Sequence, residues 1–201
     1  MVEQGLSDEQ RARAQQVIRP HLPLLLRTAG YMTRHEQDAQ DLVQDAVLKA
    51  MKAIDRFEPG TDARSWLLTI LRRAHIDRVR QAQRRGTVLS LDAAEAFDVE
   101  DPQADRQGVH DEQWHTPQQL MERFEEQQII EALRGLHAEI RWTLLLVDVE
   151  GLDLSEAARV LEVPVGTVKS RTHRGRGMLR DRLFQFASEH GWIAQGDHHA
   201  S

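Results

Sequence analysis

The chain has 201 residues, no cysteine and a formal net charge of −6. This length allows one or two modest domains, and the lack of cysteine excludes disulfides, thiolate zinc sites and a thiol nucleophile. The longest apolar run, at residues 22–26, is too short to span a membrane. The first ten residues do not resemble a signal peptide, so we expect a cytoplasmic protein.

The charges are distributed unevenly along the chain. Residues 64–85 carry seven arginines and one acid, a balance of +6. Residues 92–126 carry eleven acids and two arginines, a balance of −9, and residues 165–182 carry a balance of +5. The negative total therefore conceals two basic segments, which are typical of nucleic-acid binding.

The first of these segments lies in a region with helical periodicity. A first apolar stripe has spacings of three and four residues, which is typical of one helix face; it consists of Val43, Val47, Ala50, Met51 and Ile54. Pro59 and Gly60 then predict a turn over residues 57–62, and a second apolar stripe follows from Trp66 to Val79.

Residues 86–116 lack a sustained helical period and contain Pro102 and Gly108. We interpret them as an acidic, flexible linker, either a simple tether or a functional segment. The fold class is predicted to be all-α, with two small helical domains at residues 10–85 and 117–184. A tail occupies residues 185–201.

Residues 154–173 have the pattern of a helix-turn-helix. Ser155 is the expected N-cap and Pro164 separates a short helix from a second one that begins near Val165. Ala158 is small where the two helices cross, and Glu162 stands where a turn glycine is usual. In the second helix, the residues predicted to face inward are Val168, Thr172, Gly175 and Leu179.

The outward residues of this second helix suit a DNA major groove, because lysine and arginine contact guanine edges and phosphates. They are Lys169, Ser170, His173 and Arg174, with Arg171 at the margin. The alternative is a basic helix that is simply solvated. The pattern favours DNA binding, because the spacing, the proline turn and the charge agree.

Two stretches resemble one known family. Residues 163–183, VPVGTVKSRTHRGRGMLRDRL, resemble the C-terminal DNA-reading region of extracytoplasmic-function (ECF) sigma factors. Residues 38–85, from DAQDLVQDAV to RQAQRR, resemble their N-terminal domain. The resemblance implies a promoter-specific subunit of bacterial RNA polymerase, with an anti-sigma factor as a further expected partner and no membrane insertion.

The resemblance also implies the binding residues. The polymerase β′ clamp helices would bind Asp38, Asp41, Gln44, Asp45 and Lys49, although a solvated helix face would explain the same acids. The −10 element would contact Phe57, Thr61, Arg64, Trp66, Arg72, Arg73, His75, Arg78 and Arg80, with Trp66 equally consistent with a core position. The −35 element would contact Thr167, Lys169, Ser170, Arg171, His173 and Arg174, and the β flap would also bind this domain.

Other function classes have less support. No phosphate-binding loop, HExxH zinc motif or nucleophile elbow is present, so we expect neither an enzyme nor a cofactor. The tail contains four residues of metal-ligand type, His190, Asp197, His198 and His199. Adjacent histidines in a glycine-containing tail without cysteine rarely form a closed site, so we favour an unstructured tail over a metal sensor. A helix-turn-helix regulator that acts without polymerase is the main alternative, but it leaves residues 38–85 unexplained.

Overall fold

The computed structural model describes residues 6–85 and 126–189, and every regular element in these two ranges is helical. The predicted all-α class is therefore confirmed, whereas the predicted linker and most of the predicted tail lie outside the described residues. The α-helices are α1 (Asp8–Ile18), α2 (Leu22–Met32), α3 (Glu36–Lys52), α4 (Ala63–Arg84), α5 (Glu126–Arg134), α6 (Ala138–Leu144), α7 (Leu154–Leu161) and α8 (Val165–Glu189).

The N-terminal unit, residues 6–85, consists of α1 to α4 and two short 3-10 turns, Arg19–His21 and Ile54–Arg56. Helix α3 packs against both α2 and α4. Val43, Ala50 and Ile54 of the predicted stripe are buried, and Leu42 and Ala46 are buried beside them. The core face of α3 is therefore wider than the spacing of the first stripe predicts.

The predicted turn over residues 57–62 is present, and it ends at the start of α4. Gly60 has a φ of +89°, a backbone conformation that glycine adopts without steric cost. Asp62 is the N-cap of α4, and its carboxylate accepts hydrogen bonds from the backbone N–H groups of Arg64 and Ser65. Burial alone would raise the pKa of Asp62, but these bonds and one from the Ser65 hydroxyl outweigh burial and lower it.

The C-terminal unit, residues 126–189, contains α5 to α8 and a π-helical turn, Leu145–Val149. The helix-turn-helix is formed by α7 and α8, but its N-cap differs from the expected Ser155. Asp153 caps α7 and forms a capping box with Glu156, so the helix begins one residue before Ser155. Glu162 ends α7 with a φ of +59°, the left-handed conformation that glycine would adopt more easily.

Helix α8 presents its inner face as the sequence predicts. Val168, Thr172 and Gly175 are buried and Leu179 is half-buried. Gly175 permits close packing on α6, because a Cβ atom there would lie 2.6 Å from Ile140 Cγ2. The helix continues to Glu189, past the boundary that the sequence predicts at residue 184.

The two units pack against each other and share a continuous set of buried apolar side chains. Helix α4 contacts α7, and α2 contacts α5 and α6. Two separate domains joined by a linker do not require such a contact, so this packing is a feature that the sequence does not predict. Among the helices of the two described ranges, none has the length and hydropathy needed to cross a membrane.

Candidate nucleic-acid interface

The outer face of α8 carries the residues predicted to read the −35 element. Lys169, Ser170 and His173 are exposed, while Thr167 and Arg174 are half-buried. The Ser170 hydroxyl donates to the Thr167 carbonyl at 3.0 Å, one turn earlier in the helix. These side chains lie in the first half of α8, the end that a recognition helix directs toward base edges.

Arg171 lies at the margin of this face and is already paired. Its Nη1 atom donates to the carboxylate of Glu139, in α6, at 2.8 Å. Glu139 also accepts a hydrogen bond from Arg72 of α4 at 2.9 Å. One carboxylate therefore joins an arginine predicted to contact the −35 element with an arginine predicted to contact the −10 element.

The predicted −10 residues of α4 face two different environments. Arg80 is exposed, and Arg73 is exposed but paired with Glu162. Arg72 has 8% of its side chain exposed, and the C-terminal unit covers it. Arg78 donates to the Asp45 carboxylate at 2.7 Å and to the Asp38 carbonyl at 3.2 Å.

Among the carboxylates that pair with arginines of α4, that of Glu150 is the most buried, with 1% of its side chain exposed. It lies directly after the π-helical turn. Arg27 donates to both of its oxygens, at 3.2 and 2.7 Å, and the Thr28 hydroxyl donates at 3.1 Å. Arg64 Nη2 lies 3.3 Å from the same carboxylate and also donates to the Glu150 backbone carbonyl. The hydrogen bond to Glu150 raises the pKa of Arg27.

His75 is buried where α4 meets the C-terminal unit. Trp142 Nε1 donates to His75 Nδ1 at 3.4 Å, and the two rings are edge to face with centroids 6.0 Å apart. Burial, followed by the positive charges of Arg141, Arg72 and Arg78, lowers the pKa of His75 to about 3. His75 is therefore neutral at physiological pH, and it is not exposed to DNA in this conformation.

The aromatic residues of the predicted −10 surface lie together. The rings of Phe57 and Trp66 have centroids 4.9 Å apart, with an angle of 44° between their planes. Phe57 is buried, and its carbonyl accepts a hydrogen bond from Arg13. Trp66 is half-buried against the core, and Thr61 is exposed in the preceding loop.

The predicted polymerase-binding residues follow one side of α3. Asp38 and Gln44 are exposed, and Asp41 is half-buried and accepts a hydrogen bond from Gln37 at 3.1 Å. Lys49 pairs with Asp77 of α4 at 2.5 Å. Because Asp45 pairs with Arg78, two ion pairs connect this acidic side of α3 to the predicted DNA-binding helix.

Three residues of these surfaces were not predicted from the sequence. Leu48 is half exposed on α3. It lies four residues after Gln44, so it adds an apolar side chain to the predicted polymerase-binding side. Its helical spacing from Gln44 and Asp45 is a signal that could have found it. Glu139 and Glu150 are single acids without a motif, and sequence spacing does not reveal their partners.

No group of three or more histidines, cysteines or carboxylates is placed to hold a metal ion within residues 6–85 and 126–189. The tail histidines lie outside those ranges.

Comparison with known proteins identifies both units. The family description "Sigma-70 region 2" matches residues 17–85, and "Sigma-70, region 4" matches residues 126–179. The chain is 34% identical over 164 residues to the ECF RNA polymerase sigma factor SigM of Mycobacterium tuberculosis, covering 82% of this chain and 74% of that protein. It is 32% identical over 168 residues to EcfG of Rhodopseudomonas palustris, covering 84% and 83%.

A third relative is longer than this chain. The ECF RNA polymerase sigma factor SigE of Mycolicibacterium smegmatis is 33% identical over 177 residues, which cover 87% of this chain but 63% of that protein.

Two solved structures have a similar fold. The sigma factor RpoE of Bartonella quintana, solved in complex with the anti-sigma factor NepR, has a TM-score of 0.62 at 28% identity and covers 89% of this chain and 98% of its own. CnrH, solved with the cytosolic domain of CnrY, has a TM-score of 0.57 at 26% identity and covers 88% and 90%.

Proposed function

This chain belongs to the extracytoplasmic-function RNA polymerase sigma factors, and we propose that its two helical units divide the work of promoter recognition. Residues 10–85 act as region 2, which binds core polymerase and the −10 element. Residues 117–184 act as region 4, which binds the −35 element and the β flap. The observation that carries this division is the match of both sigma regions, in order, to two successive helical units of the chain.

The polymerase contact is the acidic side of α3. Asp38, Asp41, Gln44, Asp45 and Lys49 form its polar part, and Leu48 adds an exposed apolar side chain. Carboxylates on a partly apolar surface suit a basic partner, since opposite charges increase the association rate and the apolar contact adds affinity. We expect the β′ clamp helices to be this partner.

The DNA contacts are α4 and the first half of α8. In α4 and the loop before it, the candidates are Phe57, Thr61, Arg64, Trp66, Arg72, Arg73, His75, Arg78 and Arg80. In α8 they are Thr167, Lys169, Ser170, Arg171, His173 and Arg174. Exposed Lys169, Ser170 and His173 are available for direct base or phosphate contact. The sigma subunit itself catalyses no reaction in this scheme, since RNA synthesis belongs to the core, and it acts in the cytoplasm.

An anti-sigma factor is a further expected partner. The support is a solved relative, RpoE of Bartonella quintana, whose structure includes one. Such a partner would have to bind one or both units of this chain and compete with polymerase.

Transcription with purified core polymerase tests the function. Core polymerase is mixed with a pool of genomic fragments, with and without the full chain, and the transcripts are sequenced. We expect new start sites that share two short elements upstream. A chain that binds duplex DNA alone, but never produces core-dependent transcripts, would instead support a regulator that acts without polymerase.

A further inference from the structure

The loop before α4, residues 57–62, supplies two of the candidate −10 contacts, and we call it the −10 loop. Its exit is held by its own residues. The N–H group and the hydroxyl of Thr61 both donate to the Glu58 carbonyl, at 3.1 and 2.7 Å, and Asp62 caps α4. All residues of the loop after the first are exposed. The order of the loop therefore also depends on what holds its entry.

The entry of the −10 loop is held by α1, a helix that lies far from it in sequence. Arg13 donates through Nη2 to the backbone carbonyl of Phe57, 44 residues later in the chain. Gln10, one helical turn before Arg13, donates through Nε2 to the Asp55 carboxylate at 2.6 Å. Helix α1 therefore contacts both the 3-10 turn that precedes the loop and the first residue of the loop.

Helix α1 is itself fixed, so it can act as a rigid support. Ala14 and Ile18 are buried, and the helix packs against α3. At its N-terminus, Ser7 and Gln10 form a capping box, in which Gln10 Oε1 accepts a hydrogen bond from the Ser7 N–H group at 2.9 Å. The two ends of the Gln10 amide thus connect the cap of α1 to the turn before the loop.

The residue that Arg13 holds is also part of the aromatic surface. The Phe57 N–H group donates to the Ile54 carbonyl at 3.1 Å, and the Phe57 carbonyl accepts from Arg13. The Phe57 ring lies against that of Trp66, with centroids 4.9 Å apart. The backbone of Phe57 is therefore restrained on both sides. A loop that is ordered before DNA arrives binds better, because no ordering cost is incurred on binding.

We propose that Arg13 is a positioning residue for −10 recognition, and that α1 is the support that orders the −10 loop. The inference rests on the proposed contact between this loop and the −10 element. Arg13 acts through the Phe57 carbonyl and not on DNA, so its loss should impair the choice of base and leave the −35 contacts of α8 unchanged. Arg13 and Gln10 both precede residue 17, where the match to region 2 begins.

Three variants of the full chain separate this role from a simple loss of charge. Arg13→Met keeps the aliphatic stem of the side chain and removes its donors. Arg13→Lys keeps one charged donor and is the conservative rescue. Arg11→Met is the matched control, since it removes the same charge from the same helix. Arg11 is 57% exposed and pairs with Asp8, within α1, at 3.5 Å.

The mobility of the loop is measured without DNA. The chain has no cysteine, so a spin label can be attached at Glu58→Cys, an exposed position of the loop. The line shape of the label reports motion on the nanosecond timescale, on which loops move. We expect slow motion in the parent chain and in Arg11→Met, faster motion in Arg13→Met, and motion close to that of the parent chain in Arg13→Lys.

Base selectivity is measured on the holoenzyme, formed with purified core polymerase. The probes are single-stranded oligonucleotides that carry the −10 element found by transcript sequencing, together with its single-base variants. We expect Arg13→Met to lose about fivefold in selectivity at one −10 position, the low end of what one base contributes. Arg13→Lys should recover most of this loss. Affinity for core polymerase and for a −35 duplex should equal that of Arg11→Met.

A second variant approaches the same support from the other side. Asp55→Ala removes the acceptor of Gln10 and leaves α1 and its capping box unchanged. We expect a more mobile loop and reduced −10 selectivity here as well. This variant replaces Arg13→Met in both measurements if Arg13→Met does not fold.

Some results would overturn the proposal. The same line shape in Arg13→Met and the parent chain would show that Arg13 does not hold the loop. A mobile loop with unchanged selectivity would show that loop order does not govern the choice of base. Equal weakening on every −10 sequence would indicate that Arg13 contacts a phosphate. A parent chain that directs no core-dependent transcription would overturn the sigma function and the −10 role together, whereas the line shape would still show whether α1 orders the loop.

Discussion

Glu139 accepts a hydrogen bond from Arg171 at 2.8 Å, and these two residues connect the recognition helix α8 to the interior of the molecule. The glutamate is 12% exposed and the arginine 25% exposed, so the pair is only partly in contact with water. If Arg171 contacts DNA, as we propose, it must exchange this carboxylate for a base edge or a phosphate. Its expected contribution to promoter binding is then the difference between two charge-assisted contacts.

Replacement of this arginine tests its role in base recognition. Arg171→Ala is expected to weaken binding of the holoenzyme to its promoter by about 1–3 kcal/mol and to relax the preference at one −35 base pair. Binding competition with single-base variants of the −35 element measures both effects. Arg180→Ala is the control, because Arg180 lies further along α8 and pairs with its neighbour Asp181 at 3.0 Å. Equal weakening on every −35 sequence would indicate a phosphate contact instead.

Charge reversal on α3 tests the polymerase contact. Asp41→Arg is expected to reduce core binding at least about tenfold, since like charges across an interface cost several kcal/mol. Asp41 is preferable to Asp45, because reversal of Asp45 would also break its ion pair with Arg78. Glu9→Arg, an exposed residue in the first turn of α1, makes the same charge change elsewhere. Equal core binding by both variants would show that α3 is not part of the polymerase interface.

Two glycines of α8 differ in a way that predicts opposite effects on stability. Gly175→Ala would place a Cβ atom 2.6 Å from Ile140 Cγ2 and 3.1 Å from Leu144 Cγ. We expect it to lower the free energy of unfolding by about 1–3 kcal/mol through overpacking. At Gly177 nothing lies within 4 Å of the added atom, so Gly177→Ala is expected to stabilise the helix by about 0.5–1 kcal/mol. Urea unfolding of the full chain measures both, and a stabilising Gly175→Ala would show that α6 can move away.

Local patterns in the sequence predict much of this fold. The apolar spacing of α3, the Pro59–Gly60 turn and the inward residues of α8 are all determined by neighbours a few positions away, so short-range periodicity is enough. The cap of α7 was wrongly predicted at Ser155, because aspartate and serine both cap well and Asp153 stands two residues earlier.

The interface between the two units could not be predicted in this way. Glu150 and Arg27 are separated by 123 residues, and no periodicity connects them. For the same reason, the sequence does not show which arginines of α4 are buried. Burial of Arg72 and His75 depends on a partner helix whose position is a tertiary property. The assignment of individual residues to promoter contacts rests on family resemblance and stays a prediction.

The buried His75 makes stability sensitive to mildly acidic pH. Its pKa is lowered to about 3 in the folded chain and returns to about 6.5 on unfolding. Between these values the unfolded chain binds more protons, so the stabilising contribution is complete above pH 6.5 and is lost as the pH falls. The loss is at most about 1.4 kcal/mol per pH unit, so we expect the parent chain to lose about 1 kcal/mol between pH 7 and pH 5.5.

Urea unfolding at several pH values between 7 and 5.5 measures this loss. His75→Gln should flatten the dependence on pH, because the titrating group is gone. His173→Gln is the control, since His173 is exposed on α8, and it should keep the parent slope. The charged groups that face His75, namely Arg72, Arg78 and Arg141, stay positive throughout this range. A slope that is equal in His75→Gln and the parent chain would mean that carboxylates or other histidines cause the effect.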